Sequence, residues 1–150
     1  MKISIGSDHA GYNYKEKIKK HLIEKGYEVI DHGTNSTESV DYPDFIRPTA
    51  QDVADNISEK AIGVCGSGVG VSIVANKVKG VRAALVFNEE MAKLSVEHNN
   101  ANFLALGEKF VKEENLFRII DTWLSSHFEG GRHQRRVEKI ELTASPDIKG

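Results

Sequence analysis

Cysteine is nearly absent from this chain: Cys65 stands alone among 150 residues. One thiol cannot form a disulfide within the chain, which suits a reducing compartment. Long apolar runs are missing too. None approaches the ~20 residues that a membrane-spanning helix needs, so no membrane partner is expected. The first residues, with Lys2, Ser4, Gly6, Ser7 and Asp8, lack the apolar region of a signal peptide. Together these features predict a cytoplasmic protein. Charge of one sign is also lacking. Twenty Lys and Arg against 22 Asp and Glu leave a net charge of −2, so no global field draws nucleic acid. There is no internal repeat. There is no HxxxH, no cysteine pair and no carboxylate cluster at ligand spacing, so no metal is expected. A nucleotide cofactor is not expected either, because Gly66-Ser67-Gly68-Val69-Gly70 does not have the G-x-G-x-x-G spacing.

What is present reads as an ordinary globular domain, 39% hydrophobic and 28% charged, long enough for one sizeable core. Short apolar runs alternate with helical patterns. Strands are predicted over Lys2–Gly6, Tyr27–Asp31, Ala61–Cys65, Val81–Phe87 and Asn102–Leu106. Helices are predicted over Tyr14–Lys25, from near Pro43, over Val71–Lys79, Glu89–Glu97 and Glu113–Phe128, with a last helix over Gln134–Leu142. Residues 143–150 read as a loose tail after a single domain over 1–142. Alternation of this kind implies an α/β, Rossmann-like three-layer sandwich: a five-stranded parallel sheet, helices on both faces, and a C-terminal helix. The expected strand order is 2-1-3-4-5. The fourth strand, a near-continuous apolar run, is expected to be covered on both faces.

Ligands bind such sheets at the carboxyl ends of the strands, where the order reverses between the first and third. Two segments meet there. One is Ser7-Asp8-His9-Ala10-Gly11. The other is Gly63-Val64-Cys65-Gly66-Ser67-Gly68-Val69-Gly70, a glycine-rich turn between strand and helix. Its backbone N–H groups open a helix and favour negative charge. A thiol in such a position is where reactive cysteines are found. Each segment also has a bland reading: Asp8 as a cap in a polar turn, and Cys65 as a buried strand end. His98-Asn99-Asn100-Ala101-Asn102 reads either as a helix end with left-handed Asn residues or as a proton relay with amide donors. Arg132 and Arg136, at i and i+4, share a helical face able to grip one phosphate.

Taken with Tyr42-Pro43-Asp44, Asn76-Lys77 and Gly131-Arg132-His133, these motifs make the sequence resemble the ribose-5-phosphate isomerase B family, which includes galactose-6-phosphate isomerase subunits. The resemblance implies a metal-free, cofactor-free aldose–ketose isomerisation of a phosphosugar. It implies Cys65 as the base, Ser67 (where many members carry Thr) as the proton relay, and Asp8 with His98 as the ring-opening pair. His9, Arg132 and Arg136 match phosphate ligands, and Tyr42 and Asn99 match residues lining the sugar. The N–H groups of Gly66, Gly68, Val69 and Gly70 match the enediolate hole. Lys109 stands where many members have Arg, and keeps the charge without the bidentate fork. A six-carbon phosphosugar and non-catalytic phosphosugar binding remain the alternative readings. A homodimer or dimer of dimers is implied, and chain direction adds that its active sites are shared. His98, Asn99, Arg132 and Arg136 follow helices rather than strands, so they are expected at the end of the sheet opposite Cys65.

Overall fold

The computed structural model describes residues 1–141. The tail at 143–150, and Leu142 at the end of the expected domain, lie outside the described residues. Five parallel strands form one sheet: β1 (Lys2–Ser7), β2 (Glu28–Asp31), β3 (Lys60–Cys65), β4 (Ala83–Leu85) and β5 (Phe103–Gly107). Six helices connect and flank them: α1 (Tyr12–Glu24), α2 (Tyr42–Ala54), α3 (Val69–Asn76), α4 (Glu89–Glu97), α5 (Glu113–Ser125) and α6 (Arg132–Glu138).

The three central strands are buried on both faces, and successive side chains serve opposite cores. Ile3, Ile5, Ile62, Val64, Leu104 and Leu106 pack with α1, α4 and α5, through Ile18, Val96, Ile120 and Trp123. Ala61, Cys65, Phe103 and Ala105 pack on the other face with α2 and α3, through Ile46, Ala50, Val71 and Val74. Cys65 therefore ends its strand on the α2/α3 side.

The strand order is β2-β1-β3-β5-β4, not 2-1-3-4-5. β5 runs beside β3, with Ala61 opposite Phe103 and Cys65 opposite Gly107, and β4 pairs with β5 alone. The reason is burial. All five residues of β5 are buried, whereas Ala83, Ala84 and Leu85 are only partly so. The fully apolar β5 takes the central place. The apolar run 81–87 yields a three-residue edge strand, and the expectation that it is covered on both faces is not met within one chain. Its edge is clasped instead by Asn76, whose side-chain amide donates to the Ala83 carbonyl (3.0 Å) and accepts from the Ala83 N–H (2.8 Å). The same clasp ends α3 at Asn76, short of Lys79.

Other boundaries shift for local reasons. α5 stops at Ser125 because Ser126 is extended and its hydroxyl turns back to the Thr122 carbonyl (2.6 Å). α6 begins at Arg132, after two glycines with positive φ, two residues earlier than expected. Val69 and Gly70 already belong to α3. Among the described residues, no helix is long and apolar enough to cross a membrane.

Candidate active site

At the carboxyl ends of β1, β3 and β5 lies a cleft of about 620 Å³. Asp8 and Ala10 come to it from β1, Tyr42 from the start of α2, and Lys109 and Phe110 from the turn after β5. Cys65, Gly66, Ser67, Val69, Gly70 and Ile73 come from the glycine loop and α3. The sequence thus identified eight of the lining residues: Asp8, Tyr42, Cys65, Gly66, Ser67, Val69, Gly70 and Lys109. It missed Ala10, Ile73 and Phe110. Ile73 and Phe110 are more than half exposed. Their sequence signals are weak: Phe110 is a large apolar residue three positions past the end of β5, and Ile73 lies in the second turn of α3.

Backbone contact with its neighbours holds the loop in place. Gly68 adopts φ +80°, and a Cβ there would lie 2.8 Å from the Leu106 carbonyl carbon. Lys109 donates its backbone N–H to the Gly66 carbonyl (3.0 Å), and Glu108 donates to that of Cys65 (2.9 Å), so the β5 turn is laced to the loop. The Tyr42 ring lies directly on Gly70, where a Cβ would come within 2.8 Å of it.

The buried Cys65 sulfur accepts the Gly68 N–H (3.1 Å), and the Ser67 hydroxyl oxygen accepts the Val69 N–H (3.2 Å). Two of the N–H groups expected in an enediolate hole are thus engaged by the loop's own side chains. A ligand oxygen must displace Ser67 to reach Val69. Asp8, also buried, accepts the Gly11 N–H through Oδ1 (3.1 Å), which caps the 3₁₀ turn His9–Gly11. The bland and the functional readings of Asp8 are both present: it caps the turn and lines the cleft. His9 Nδ1 accepts the Val40 N–H (3.1 Å), so in the neutral ring the proton sits on Nε2, the nitrogen left to donate.

The remaining expected residues lie elsewhere in the chain. His98 follows α4 and stacks on His133 of α6, ring centroids 4.2 Å apart. Its Nε2 lies 3.5 Å from Glu129 Oε1, and that of His133 lies 3.6 Å from the same oxygen. Burial, with the positive fields of His98 and Arg132, holds His133 below the ordinary imidazole range against the pull of Glu129. Asn99 lines a separate groove of about 520 Å³ beside β4, with Ala83, Leu85, Met91, Leu94 and Ile140. Arg132 and Arg136 project from α6 beside His133. Asn100 takes the left-handed turn (φ +50°) expected at a helix end. Asn102 is a structural clasp: its side chain accepts from Arg82 N–H (2.7 Å) and donates to the Gly80 carbonyl (3.0 Å).

Residues 3–140 match the family described as Ribose/Galactose Isomerase. Ribose-5-phosphate isomerase B of Escherichia coli K12 is 47% identical over 139 residues, 93% of each chain. The solved structure of the Clostridium thermocellum ribose-5-phosphate isomerase B is 54% identical. It superposes with a TM-score of 0.93 over 94% of this chain and 95% of its own. That of Mycoplasma genitalium, solved with bound ribulose-5-phosphate, is 46% identical, with a TM-score of 0.89 over 93% of both chains.

Proposed function

Because the chain belongs to the Ribose/Galactose Isomerase family, we propose that it is an aldose–ketose isomerase interconverting D-ribose 5-phosphate and D-ribulose 5-phosphate. The observation that carries this reading is the cleft itself, in which a thiol, a hydroxyl, a carboxylate and a helix N-terminus converge. In the proposed reaction, the Cys65 thiolate takes the proton from C2 of the open-chain aldose, leaving an enediolate. Ser67 passes the O2 proton to O1, and the thiol returns its proton to C1, so that the carbonyl moves from C1 to C2. No electron acceptor and no metal is needed. Backbone N–H groups at the start of α3 stabilise the oxyanion as it develops. The phosphate, remote from the reacting carbons, supplies binding energy that holds C2 against the sulfur.

We further propose that each site is completed by a second copy of the chain in the cytoplasm. Asp8, Tyr42 and Cys65 follow strands or begin helices at one end of the sheet. His98 and Asn99 sit beyond the other end of α4, a nine-residue helix of about 14 Å. Side chains so placed cannot meet on one pentose. The half-exposed β4 and its apolar groove, with Met91, Leu94 and Ile140 at least one-third exposed, supply a surface for the partner to cover. Arg132 and Arg136 of the partner would then hold the phosphate beside His9.

The test is turnover of ribose 5-phosphate, with allose and galactose 6-phosphates as competitors. Preference for the five-carbon sugar supports the reading, preference for a six-carbon one replaces it, and no turnover leaves a binding protein. Mixing Cys65→Ala with His98→Ala after dissociation and reassociation tests the sharing. Recovered activity supports it, and confirmed mixed dimers without activity would return the site to one chain.

A further inference from the structure

Helix α1 has no cap of its own. Its N-cap position is Gly11, which has no side chain to offer the orphan N–H groups of the first turn. Glycine stands there because the chain passes hard against β3: a Cβ on Gly11 would lie 2.4 Å from the Val64 carbonyl oxygen. The cap comes instead from 94 residues away in the chain. Glu108, in the turn after β5, accepts the Tyr14 N–H through Oε1 (2.8 Å). A carboxylate at that place also suits the positive end of the helix dipole. Tyr14 returns the contact by donating its hydroxyl to the Val111 carbonyl (2.6 Å). Burial, and then the Glu108 charge, holds that phenol above its ordinary value, so it keeps the proton it donates.

Three segments build the cleft, and Glu108 takes part in two of the joints between them. The Asp8–Gly11 turn meets β3 where the Asp8 N–H donates to the Val64 carbonyl (3.3 Å). The glycine loop meets the β5 turn where the Glu108 and Lys109 N–H groups donate to the Cys65 and Gly66 carbonyls. The β5 turn meets α1 through the Glu108 carboxylate and the Tyr14 hydroxyl. Glu108 is not among the residues that line the cleft, but its neighbours Lys109 and Phe110 are. The Lys109 side chain lies along the loop, its Nζ 3.7 Å from where a Cβ of Gly66 would stand.

We infer that Glu108 is a positioning residue for the isomerase reaction, an inference that rests on the function proposed above. It acts through Cys65 and Lys109. By fixing the β5 turn against α1, it sets the two backbone bonds that hold the Cys65 and Gly66 carbonyls. Those bonds in turn aim the sulfur and the ammonium at the substrate. A misplacement of about 1 Å at reacting atoms can cost on the order of a hundredfold in rate. The site requires of Glu108 an acceptor oxygen at one place, and no proton transfer. Asp8 differs, since its residue reaches the cleft itself.

Three variants separate position from charge, with circular dichroism at the assay temperature establishing that each is folded. Glu108→Ala should lower kcat at saturating ribose 5-phosphate by about tenfold or more. Glu108→Asp keeps the charge but withdraws the oxygen by one methylene. It should lose activity in the same way, and it carries the test if the alanine variant does not fold. Glu108→Gln keeps an oxygen for the Tyr14 N–H and should stay within about threefold of wild type. The tie itself is read by amide hydrogen exchange resolved by NMR. The Tyr14 and Lys109 N–H groups should exchange about tenfold faster in Glu108→Ala and Glu108→Asp, with protection restored in Glu108→Gln. Unchanged exchange at Lys109 would overturn the inference, because the turn would then be held without the carboxylate. Faster exchange with normal kcat would overturn it too, leaving Glu108 as a helix cap alone. Activity kept by Glu108→Asp and lost by Glu108→Gln would replace position with charge. Wild type without turnover would instead refute the isomerase reading, while the exchange comparison would still decide whether Glu108 holds the turn.

Discussion

Gly68 and Gly80 offer a matched pair for separating backbone strain from close packing. Their φ angles are +80° and +91°, which L side chains rarely adopt. Alanine at either position should therefore lose about 1–2 kcal/mol for the left-handed conformation. Their surroundings differ. A Cβ on Gly80 meets nothing within 4 Å, whereas one on Gly68 lies 2.6 Å from Leu85 Cδ1, 2.8 Å from the Leu106 carbonyl carbon and 3.0 Å from the Gly107 nitrogen. Leu85 can rotate away, but the β5 backbone cannot without breaking its ladder to β3. Overpacking of this kind costs about 1–3 kcal/mol more. Gly68→Ala should thus lose roughly 2–5 kcal/mol, and Gly80→Ala only the first part. Urea unfolding at equal protein concentration measures both, as midpoint shifts at unchanged slope. Activity should separate them further. The Gly68 N–H donates to the Cys65 sulfur, so displacing the loop should lower kcat for Gly68→Ala alone. Equal stability losses in the two variants would refute the close-packing argument. Normal kcat in a destabilised Gly68→Ala would show that the loop geometry does not matter to the reaction.

Cys65→Ala should abolish turnover while phosphosugar affinity, measured by calorimetry, stays within about tenfold, or ~1.4 kcal/mol; near-normal turnover would remove the thiol from the mechanism. Asp31 carries a pH signature. Burial pushes its carboxyl up, but the Lys15 ammonium, the Gly33 N–H and Lys19 together hold it below the usual value of 3.8. A depressed carboxyl contributes stability above its unfolded value, and that contribution is lost as pH falls through the folded one. Asp31→Asn should lose about 3–5 kcal/mol at neutral pH, because the Lys15 side chain is fully buried and keeps only Glu16. The gap to wild type should then narrow below about pH 4, and a gap independent of pH in urea unfolding would contradict this. Tyr14→Phe removes a 2.6 Å hydrogen bond from the phenol to the Val111 carbonyl. It should cost about 1–3 kcal/mol by leaving that carbonyl unpaired, read as a lower melting temperature.

Much of this architecture is legible in the sequence because it is local. β1, β3 and β5 are short apolar runs between helical patterns, and the cleft draws most of its residues from one loop and one strand end. Pairing order is not local. Nothing in the run Val81–Phe87 says that a later strand will lie between it and β3, and a continuous apolar run looks alike at an edge and at the centre. Asn76 and Asn102 carry the missing information, since their side chains bind the backbone around β4. In sequence Asn76 reads as part of a helix and Asn102 as the first residue of a strand. The His98–Glu129–His133 set was hidden for a similar reason. His98 and Glu129 are far apart in the chain, and the reversal at Gly130 and Gly131, both with positive φ, precedes the helix that lays His133 on His98 just past the end of α4. Phe110 and Ile73 escaped notice because exposed apolar residues have no periodicity to betray them.

The strand order also governs how the chain emerges during synthesis. β4 leaves the ribosome before β5, yet β5 is its only ladder partner among the described residues, and β3 waits for the same strand along its open edge. Until residue 107 is free, a nascent chain carries β3 paired on one edge only and a β4 segment with no ladder partner. An open strand edge of this kind is a template for intermolecular pairing. The β3 edge and the β4 segment can therefore be joined only after β5 has emerged to lie between them. A ribosome stalled before that point would hold a chain whose β3 edge is open.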